Sequence, residues 1–178
     1  PPDFWADLGL RAGHYLVLTL HRPANVDDLS KTAAVLQAIG DSCRGLPVVF
    51  PMHPRTIKTI RSIPDLPKSI HLVSPQPYLE FNYLVRHAKG VITDSGGITE
   101  ETTVLGVPCL TLRDNTERPE TIEIGTNELV GTDPKGVGPA LGRLLDGQWK
   151  RGRIPELWDG SAGIRIVAAL EEWLGHRG

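Results

Sequence analysis

Short apolar runs alternate along the chain with segments whose apolar residues recur at helical spacing. The runs predict six buried strands, the last of them short, at residues 15–20, 47–50, 70–73, 90–93, 108–112 and 128–130. The segments between and after them predict helices at residues 29–39, 56–63, 78–88, 98–105, 134–145 and 161–174. Alternating strands and helices are typical of βαβ crossovers in a parallel sheet covered on both faces. The pattern therefore predicts an α/β fold built on one parallel sheet.

Length and composition narrow the class of protein. The chain has neither an internal repeat nor a linker, so we expect residues 1–178 to form one domain. A net charge of −2 gives no reason to expect a nucleic-acid partner, whose phosphates are neutralised mainly by Lys and Arg. The apolar runs are far shorter than the roughly 20 residues of a membrane span. The first residues lack the pattern of a signal peptide, and Cys43 and Cys109 form no CxxC motif, so we expect a cytoplasmic protein with reduced thiols.

Polar clusters follow five of the predicted strands at the point where each strand ends. They occupy residues 21–22, 53–56, 74–78, 94–97 and 113–120. Ligands of an open parallel sheet bind outside the carboxyl ends of its strands. The sequence therefore predicts one crevice at that edge, lined by histidines, arginines and a glycine turn.

The glycine turn is the strongest local feature. Ser95, Gly96 and Gly97 lie between the fourth strand and the helix that follows it. The first amides of a helix lack internal partners and carry partial positive charge, and glycine lets a phosphate approach them closely. An ordinary βα turn with Ser95 as N-cap is the alternative. Glu100 and Glu101 either complement the helix dipole or accept hydrogen bonds from the hydroxyls of a ribose.

Other motifs are weaker. The forked guanidinium of Arg118 suits a phosphate, although a charged loop in solvent is the usual fate of such a run. A single histidine at a strand end is more often structural than catalytic, which applies to both His21 and His53. The sequence has no GxGxxG after its first strand, no GxxxxGK[ST] and no HExxH or Cys/His cluster, so it predicts neither a dinucleotide cofactor nor a metal.

Several of these segments together resemble the non-hydrolysing UDP-N-acetylglucosamine 2-epimerases. The resemblance rests on seven segments taken in this order, namely 19–25, 51–55, 77–81, 93–101, 105–108, 113–120 and 125–131. The family has two Rossmann-like domains in the glycosyltransferase-B arrangement, with the active site between them. The resemblance implies that this chain is the second, carboxyl-terminal domain and that an amino-terminal domain is its partner.

The resemblance also implies a UDP site. The residues matched to it are Ser95, Gly96, Gly97, Glu101, Arg118 and Phe81. The first three would hold the diphosphate, Glu101 the ribose hydroxyls and Arg118 a phosphate, while Phe81 would contact the uracil. No cofactor is expected. Full-length members imply a cytoplasmic homodimer that acts in the biosynthesis of cell-envelope polysaccharides.

Family chemistry is elimination followed by re-addition of UDP, which interconverts UDP-GlcNAc and UDP-ManNAc. His21 would be the catalytic residue near the diphosphate, whereas Arg22 and His53 match positions tied to a second, allosteric UDP-N-acetylglucosamine in some bacterial members. The acid and base are carboxylates that the family carries on its first domain. We therefore expect this chain alone to bind UDP and UDP-N-acetylhexosamine without completing a reaction.

Two segments depart from the family pattern. Ala24 stands where the family usually has Glu, and residues 154–160 replace a more usual Asn-Pro-Tyr-Gly-Asp-Gly. The first departure puts full activity or allosteric control in doubt. It keeps open a degenerate UDP-sugar-binding module as an alternative, beside a UDP-sugar glycosyltransferase of the same fold.

Overall fold

A computed structural model describes residues 1–52 and 56–175 of the chain. Its described part contains one sheet of six parallel strands in the order β3-β2-β1-β4-β5-β6. The strands are β1 (Leu16–Thr19), β2 (Val48–Pro51), β3 (Ile70–Val73), β4 (Gly90–Thr93), β5 (Cys109–Thr111) and β6 (Asn127–Leu129). All six match strands predicted from the apolar runs, to within two residues at each end. The parallel α/β architecture is therefore confirmed.

Helices lie on both faces of the sheet. They are α1 (Phe4–Asp7), α2 (Pro23–Val26), α3 (Leu29–Ser42), α4 (Ile57–Arg61), α5 (Tyr78–His87), α6 (Gly96–Leu105), α7 (Pro119–Glu123), α8 (Pro134–Leu145) and α9 (Ala162–Gly175). On one face, α3 and α8 pack against strand residues such as Leu18, Phe50 and Leu110. On the other face, α5 and α6 pack against Val17 and Val91. The strand residues are buried on both faces because the helices cover both, and this is the Rossmann-like arrangement.

Three short helices were not predicted. The apolar periodicity of a single turn is too short to register, and α1, α2 and α7 each have only four or five residues. Two of them nevertheless begin with a proline, Pro23 in α2 and Pro119 in α7, at a position where its missing N–H costs nothing. The same signal did predict the start of α8, where Asp133 caps the helix and Pro134 follows. Helix α6 also begins at Gly96, two residues earlier than expected.

The order of the strands reverses between β1 and β4. The chain runs outward from β1 through β2 to β3, then returns to the other side of β1 as β4 and continues to β5 and β6. At this switch point the hydroxyls of Thr19 and Thr93, which end the two strands, lie 2.6 Å apart. The segments that follow β1 and β4 therefore diverge over the carboxyl edge of the sheet and leave a crevice between them.

Helix α9 contrasts with the rest of the described chain. Every residue from 162 to 175 is exposed or half-exposed, although many of them are large and apolar. The exposed apolar residues of α9 are Ile164, Ile166, Val167, Leu170, Trp173 and Leu174. Among the helices of the described ranges, none combines the length and the apolar character needed to cross a membrane. The apolar surface of α9 is therefore left uncovered by this part of the protein.

Candidate functional site

Asp94 organises the crevice between β1 and β4. Its side chain is fully buried at the end of β4. The backbone N–H of His21 donates to both carboxylate oxygens, at 3.1 Å each, and the backbone N–H of Arg22 donates to Oδ2 at 2.8 Å. Asn25 Nδ2 donates to Oδ2 at 3.1 Å and to the carbonyl oxygen of Leu112 at 3.0 Å. The carboxylate thus ties the segment after β1 to the ends of β4 and β5.

The protonation state of Asp94 follows from these donors. Burial alone would raise the pKa of Asp94, but the hydrogen bonds from the His21 ring, the Arg22 N–H and the Asn25 amide together bring it below its ordinary value of 3.8. Asp94 is therefore a buried carboxylate at neutral pH. Because its oxygens are occupied by donors, it is a structural acceptor and not a base with access to a ligand.

His21 lies between Asp94 and the crevice. Its Nδ1 is 2.8 Å from Asp94 Oδ1, and 40% of its side chain is exposed. The backbone and the ring of His21 therefore bind the same carboxylate, which fixes the position of the imidazole. The structure places this predicted catalytic residue at the switch point of the sheet, where a ligand is expected.

A cavity of about 340 Å³ opens beside His21. Its lining residues are Thr19, Leu20, His21, Pro51, Met52, Pro75, Gln76, Phe81, Ser95 and Ile98. Three residues predicted from the sequence, namely His21, Phe81 and Ser95, thus share one cavity although they are far apart along the chain. Gln76 also lines it, and the sequence assigned no role to that residue. The cavity joins apolar walls to a histidine and to the start of α6.

The start of α6 is open to a ligand. Ser95 occupies the N-cap position with extended backbone, but its hydroxyl makes no capping hydrogen bond. Instead, the N–H of Ser95 donates to Thr93 Oγ1 at 3.0 Å. Gly97 is exposed, and a Cβ added to it would meet none of the described atoms within 4 Å. Packing inside the described chain therefore gives no reason for glycine at 97, whereas the close approach of an anion to the helix amides does.

Glu101 lines a second cavity, of about 390 Å³, beside residues of α5 and α6. The lining residues are Tyr78, Asn82, Glu100, Glu101, Val104, Leu105 and Trp158. Burial raises the pKa of Glu101, and the neighbouring charge of Glu100 raises it further. The two cavities are separate in this structure, so Glu101 does not share a cavity with Ser95. Trp158, from the segment that departs from the family pattern, forms a wall that the sequence did not predict.

Arg118 is held by an ion pair. Its Nε lies 2.6 Å from Glu100 Oε1, and its Nη1 donates to the carbonyl oxygen of Glu117 at 3.1 Å. Both partners of the ion pair are close to half exposed. The guanidinium is therefore paired with a residue of α6 that lines the second cavity.

Arg113 is a residue that the sequence did not single out. It is 6% exposed, and its Nη1 lies 3.7 Å from the place of a Cβ on Gly96. Its Nη2 donates to Glu117 Oε1 at 3.0 Å, and Arg22 Nη2 is 3.8 Å from the same oxygen. The hydrogen bond from Arg113 lowers the pKa of Glu117, and the charges of Arg113 and Arg22 lower it further. The position of Arg113 in the sequence could have indicated a role, since it follows the end of β5 as His21 follows the end of β1.

Other histidines have different surroundings. His53, predicted as an allosteric residue, lies outside the described residues. The Nδ1 atoms of His14 and His87 contact the backbone carbonyl oxygens of Ala12 and Tyr83, within their own segments. Within residues 1–52 and 56–175, no three His, Cys, Asp or Glu side chains converge on a position for a metal ion.

The fold and the site together define the class of protein. A parallel Rossmann-like sheet, a crevice at its switch point and an open helix amino end are the features of a nucleotide-binding α/β domain. The chain matches the family described as UDP-N-acetylglucosamine 2-epimerase over residues 3–171. It therefore belongs to the UDP-N-acetylglucosamine 2-epimerase family.

Individual relatives show the same likeness. The chain is 39% identical over 165 residues to the UDP-N-acetylglucosamine 2-epimerase of Methanocaldococcus jannaschii. This alignment covers 88% of the chain and 44% of the relative. It is 37% identical over 163 residues to the UDP-2,3-diacetamido-2,3-dideoxy-D-glucuronate 2-epimerase of Pseudomonas aeruginosa, with coverage of 88% and 44%. The crystal structure of the Methanocaldococcus jannaschii enzyme in complex with UDP-GlcNAc and UDP matches with a TM-score of 0.74 and 37% identity, over 89% of this chain and 45% of that one. The chain thus spans about half the length of these relatives.

Proposed function

We propose that this chain is the UDP-binding half, residues 1–178, of a non-hydrolysing epimerase that interconverts UDP-GlcNAc and UDP-ManNAc. The observation that carries the proposal is the cavity shared by His21, Phe81 and Ser95 beside the open amino end of α6. Membership of the family and the relative in complex with UDP-GlcNAc and UDP support the choice of ligand. A homodimeric state of the longer protein stays a prediction.

The diphosphate binds at the amino end of α6 in this proposal. The N–H groups of residues 95–97 donate to its oxygens, and the exposed backbone of Gly97 permits the close approach. Arg118 exchanges Glu100 for a phosphate oxygen, because a diphosphate carries more charge than one carboxylate. Arg113, buried beneath Gly96, adds fixed positive charge from below. Together these groups stabilise UDP as a leaving group.

The uridine spans the two cavities. Phe81 lines the first cavity and accounts for contact with the uracil, while Glu101 lines the second and accepts hydrogen bonds from the ribose hydroxyls. Phe81 lies in α5 and Glu101 in α6, and these two helices contact each other, so a nucleoside that lies along them reaches both residues. The carboxylate form of Glu101 suits a ribose best, since both of its oxygens are charged acceptors, one for each hydroxyl.

The chemistry requires groups that this half does not provide. Epimerisation at C2 removes a proton from one face of the sugar and returns one to the other face, which needs two groups on opposite sides. Among the described residues that line the first cavity, His21 is the one titratable side chain, and the carboxylate of Asp94 beneath it is buried and occupied. We therefore assign the acid and base to an amino-terminal half, as the family resemblance implies.

The surface of α9 agrees with a missing half. Its apolar residues are exposed in the described chain, and the relatives continue for about as many residues again beyond the matched region. We assign this surface to contact with the amino-terminal half, since burying large apolar side chains stabilises such a contact by about 25 cal/mol per Å².

A calorimetric titration with UDP, NAD and ATP tests the nucleotide assignment. We expect UDP to bind most tightly, because the glycine turn lacks the dinucleotide fingerprint and the GxxxxGK[ST] loop. UDP-GlcNAc and UDP-2,3-diacetamido-2,3-dideoxy-D-glucuronate, titrated beside them, separate the two sugar classes named for the relatives. Tighter binding of NAD or ATP than of UDP would contradict the proposal.

A degenerate UDP-sugar-binding module is the second candidate. Ala24 favours it, because the family usually carries a carboxylate at this position beside the active site. Such a module binds UDP with the same residues but does not turn over, even when the amino-terminal half is present. Turnover by the longer protein therefore separates the two functions.

A further inference from the structure

The five contacts at Asp94 all come from nitrogen atoms. Backbone N–H groups can only donate, so the contacts from the N–H groups of His21 and Arg22 are unambiguous. The Asn25 contact is equally fixed, because the same Nδ2 also reaches the carbonyl oxygen of Leu112, which can only accept. The remaining contact is that of His21 Nδ1, 2.8 Å from Oδ1. A carboxylate in this setting accepts, so Nδ1 must carry a proton.

From this geometry we infer that Asp94 is a positioning residue that holds neutral His21 in the Nδ1–H tautomer, so that Nε2 is a hydrogen-bond acceptor at the nucleotide cavity. A ring nitrogen's partner decides which nitrogen is protonated. When the ring is protonated, Nδ1 still donates to Asp94, and Nε2 becomes a donor suited to a phosphate oxygen. The functional side of this inference rests on the proposed function, which places a diphosphate beside His21.

A purely structural role for Asp94 is the competing explanation. The same five contacts hold the segment after β1 against the end of β4, and this holds whether or not the tautomer matters. The substitution Asp94→Asn separates the two roles. Three donors converge on Oδ2, namely the N–H groups of His21 and Arg22 and the amide of Asn25. The new amide must turn its oxygen toward them, and its NH₂ group then faces His21 Nδ1.

Nδ1 of His21 consequently becomes an acceptor in Asp94→Asn, and the proton moves to Nε2. The variant keeps the size of the side chain and most of the hydrogen bonds, yet it reverses the character of Nε2 from acceptor to donor. A structural role alone does not require this reversal.

The test is a measurement of ring ¹⁵N chemical shifts on the labelled 178-residue chain at about pH 9, where imidazoles are neutral. We expect His21 to be the Nδ1–H tautomer in the wild type and the Nε2–H tautomer in Asp94→Asn. His14 and His87 are internal controls, because their Nδ1 atoms contact carbonyl oxygens at 3.0 and 2.9 Å and must carry the proton in both proteins. An Nε2–H wild-type His21 overturns the inference, even if the variant fails to fold.

A second arm uses deuterium exchange from solvent into C2 of UDP-GlcNAc, catalysed by the longer protein. We expect Asp94→Asn to lower kcat at least about tenfold while the Kd of UDP changes less than about twofold. Equal losses in both, with a lowered Tm, would show a structural role only. If the tautomers are as expected but the wild-type longer protein catalyses no exchange, the proposed function is contradicted. The positioning role of Asp94 then still stands.

Discussion

The carboxyl edge of the sheet and the last helix, α9, differ in how far their side chains are covered by the rest of the described chain. At the edge, the buried carboxylate of Asp94, which follows β4, is matched by donors from the segment after β1, all within the described chain. On α9, large apolar side chains such as Ile164 and Leu174 are more than half exposed. The first region carries its own partners, and the second needs partners from elsewhere.

This difference separates what the chain does alone from what it does in a longer protein. In the proposed function this polar edge binds the nucleotide, since its geometry is set by contacts inside this chain. An uncovered apolar helix contributes to activity only when another body covers it. The predictions below challenge each region in turn.

The largest effect is expected at Asp94. Asp94→Ala leaves buried N–H donors without an acceptor, so we expect the free energy of unfolding to fall by roughly 3–5 kcal/mol at pH 7. Urea unfolding of the chain measures this loss, with Asp65→Ala, at an exposed position, as the control. A loss below about 1 kcal/mol would show that the network at the edge is not a stabilising unit.

The pH dependence of that loss has a definite sign. The folded pKa of Asp94 lies below its ordinary value of 3.8, so its contribution is complete above 3.8 and is lost as the pH falls through the folded pKa. The difference in stability between the wild type and Asp94→Ala should therefore be constant at neutral pH and shrink only in strong acid. A difference that shrinks already between pH 7 and 5 would contradict the lowered pKa.

The next largest effect is expected at Arg118, which contacts a phosphate in the proposed function. We expect Arg118→Ala to weaken UDP binding about tenfold, because it removes a charged hydrogen bond to the diphosphate. UMP carries one phosphate fewer and should show a smaller loss. Calorimetry on both ligands measures the two effects, and Arg11→Ala, a substitution at an exposed arginine, is the control. Equal losses for UDP and UMP would rule out the proposed contact with the second phosphate.

Glu101 should impose a pH dependence on UDP binding. Burial and Glu100 raise the pKa of Glu101 above 4.5, so acidification protonates it earlier than an ordinary glutamate. We expect UDP affinity to fall as the pH drops through that raised pKa, and this fall to be absent in Glu101→Gln. Affinities measured between pH 7 and 4.5 test the sign. An unchanged fall in the variant would assign the titration to another group.

The smallest effect on the isolated chain is expected on α9. Replacing Ile164 and Leu174 by Glu should change the stability of the 178-residue chain by less than about 0.5 kcal/mol, because both side chains are exposed. The same double variant should greatly destabilise the longer protein. Urea denaturation of the isolated chain and of the longer protein, each with and without the double substitution, measures the two changes in stability. A large loss in the isolated chain would mean that α9 packs on this half.

The sequence predicted the framework well because the sheet is buried on both faces. Such strands are continuous apolar runs, and turns and helical periods separate them clearly. The position of His21 and Ser95 at one crevice was likewise predictable, since each follows a strand end at the same edge of the sheet, whereas Phe81 was assigned from the family resemblance alone. The rule that ligands of a parallel sheet bind at that edge then predicted the location of the crevice.

Contacts between side chains were not predictable in the same way. The sequence placed Asp94 in a motif but gave no sign that its carboxylate binds the backbone of His21 and Arg22, since the two segments lie more than 70 residues apart. The ion pair of Arg118 with Glu100 and the separate cavity of Glu101 also depend on side-chain directions. Pairings of this kind are fixed by tertiary geometry, which periodicity and spacing do not encode.

The most direct test of the account is deuterium exchange from solvent into C2 of UDP-GlcNAc, followed by NMR. It is measured with the 178-residue chain and with the longer protein of which we propose it to be the second half. We predict no exchange by the chain alone, because one wall of the site and its acid and base are missing, and clear exchange by the longer protein. Exchange by the chain alone would mean that the catalytic groups are misassigned. Absence of exchange by the longer protein would contradict the epimerase and favour a binding module in which Ala24 marks the lost activity.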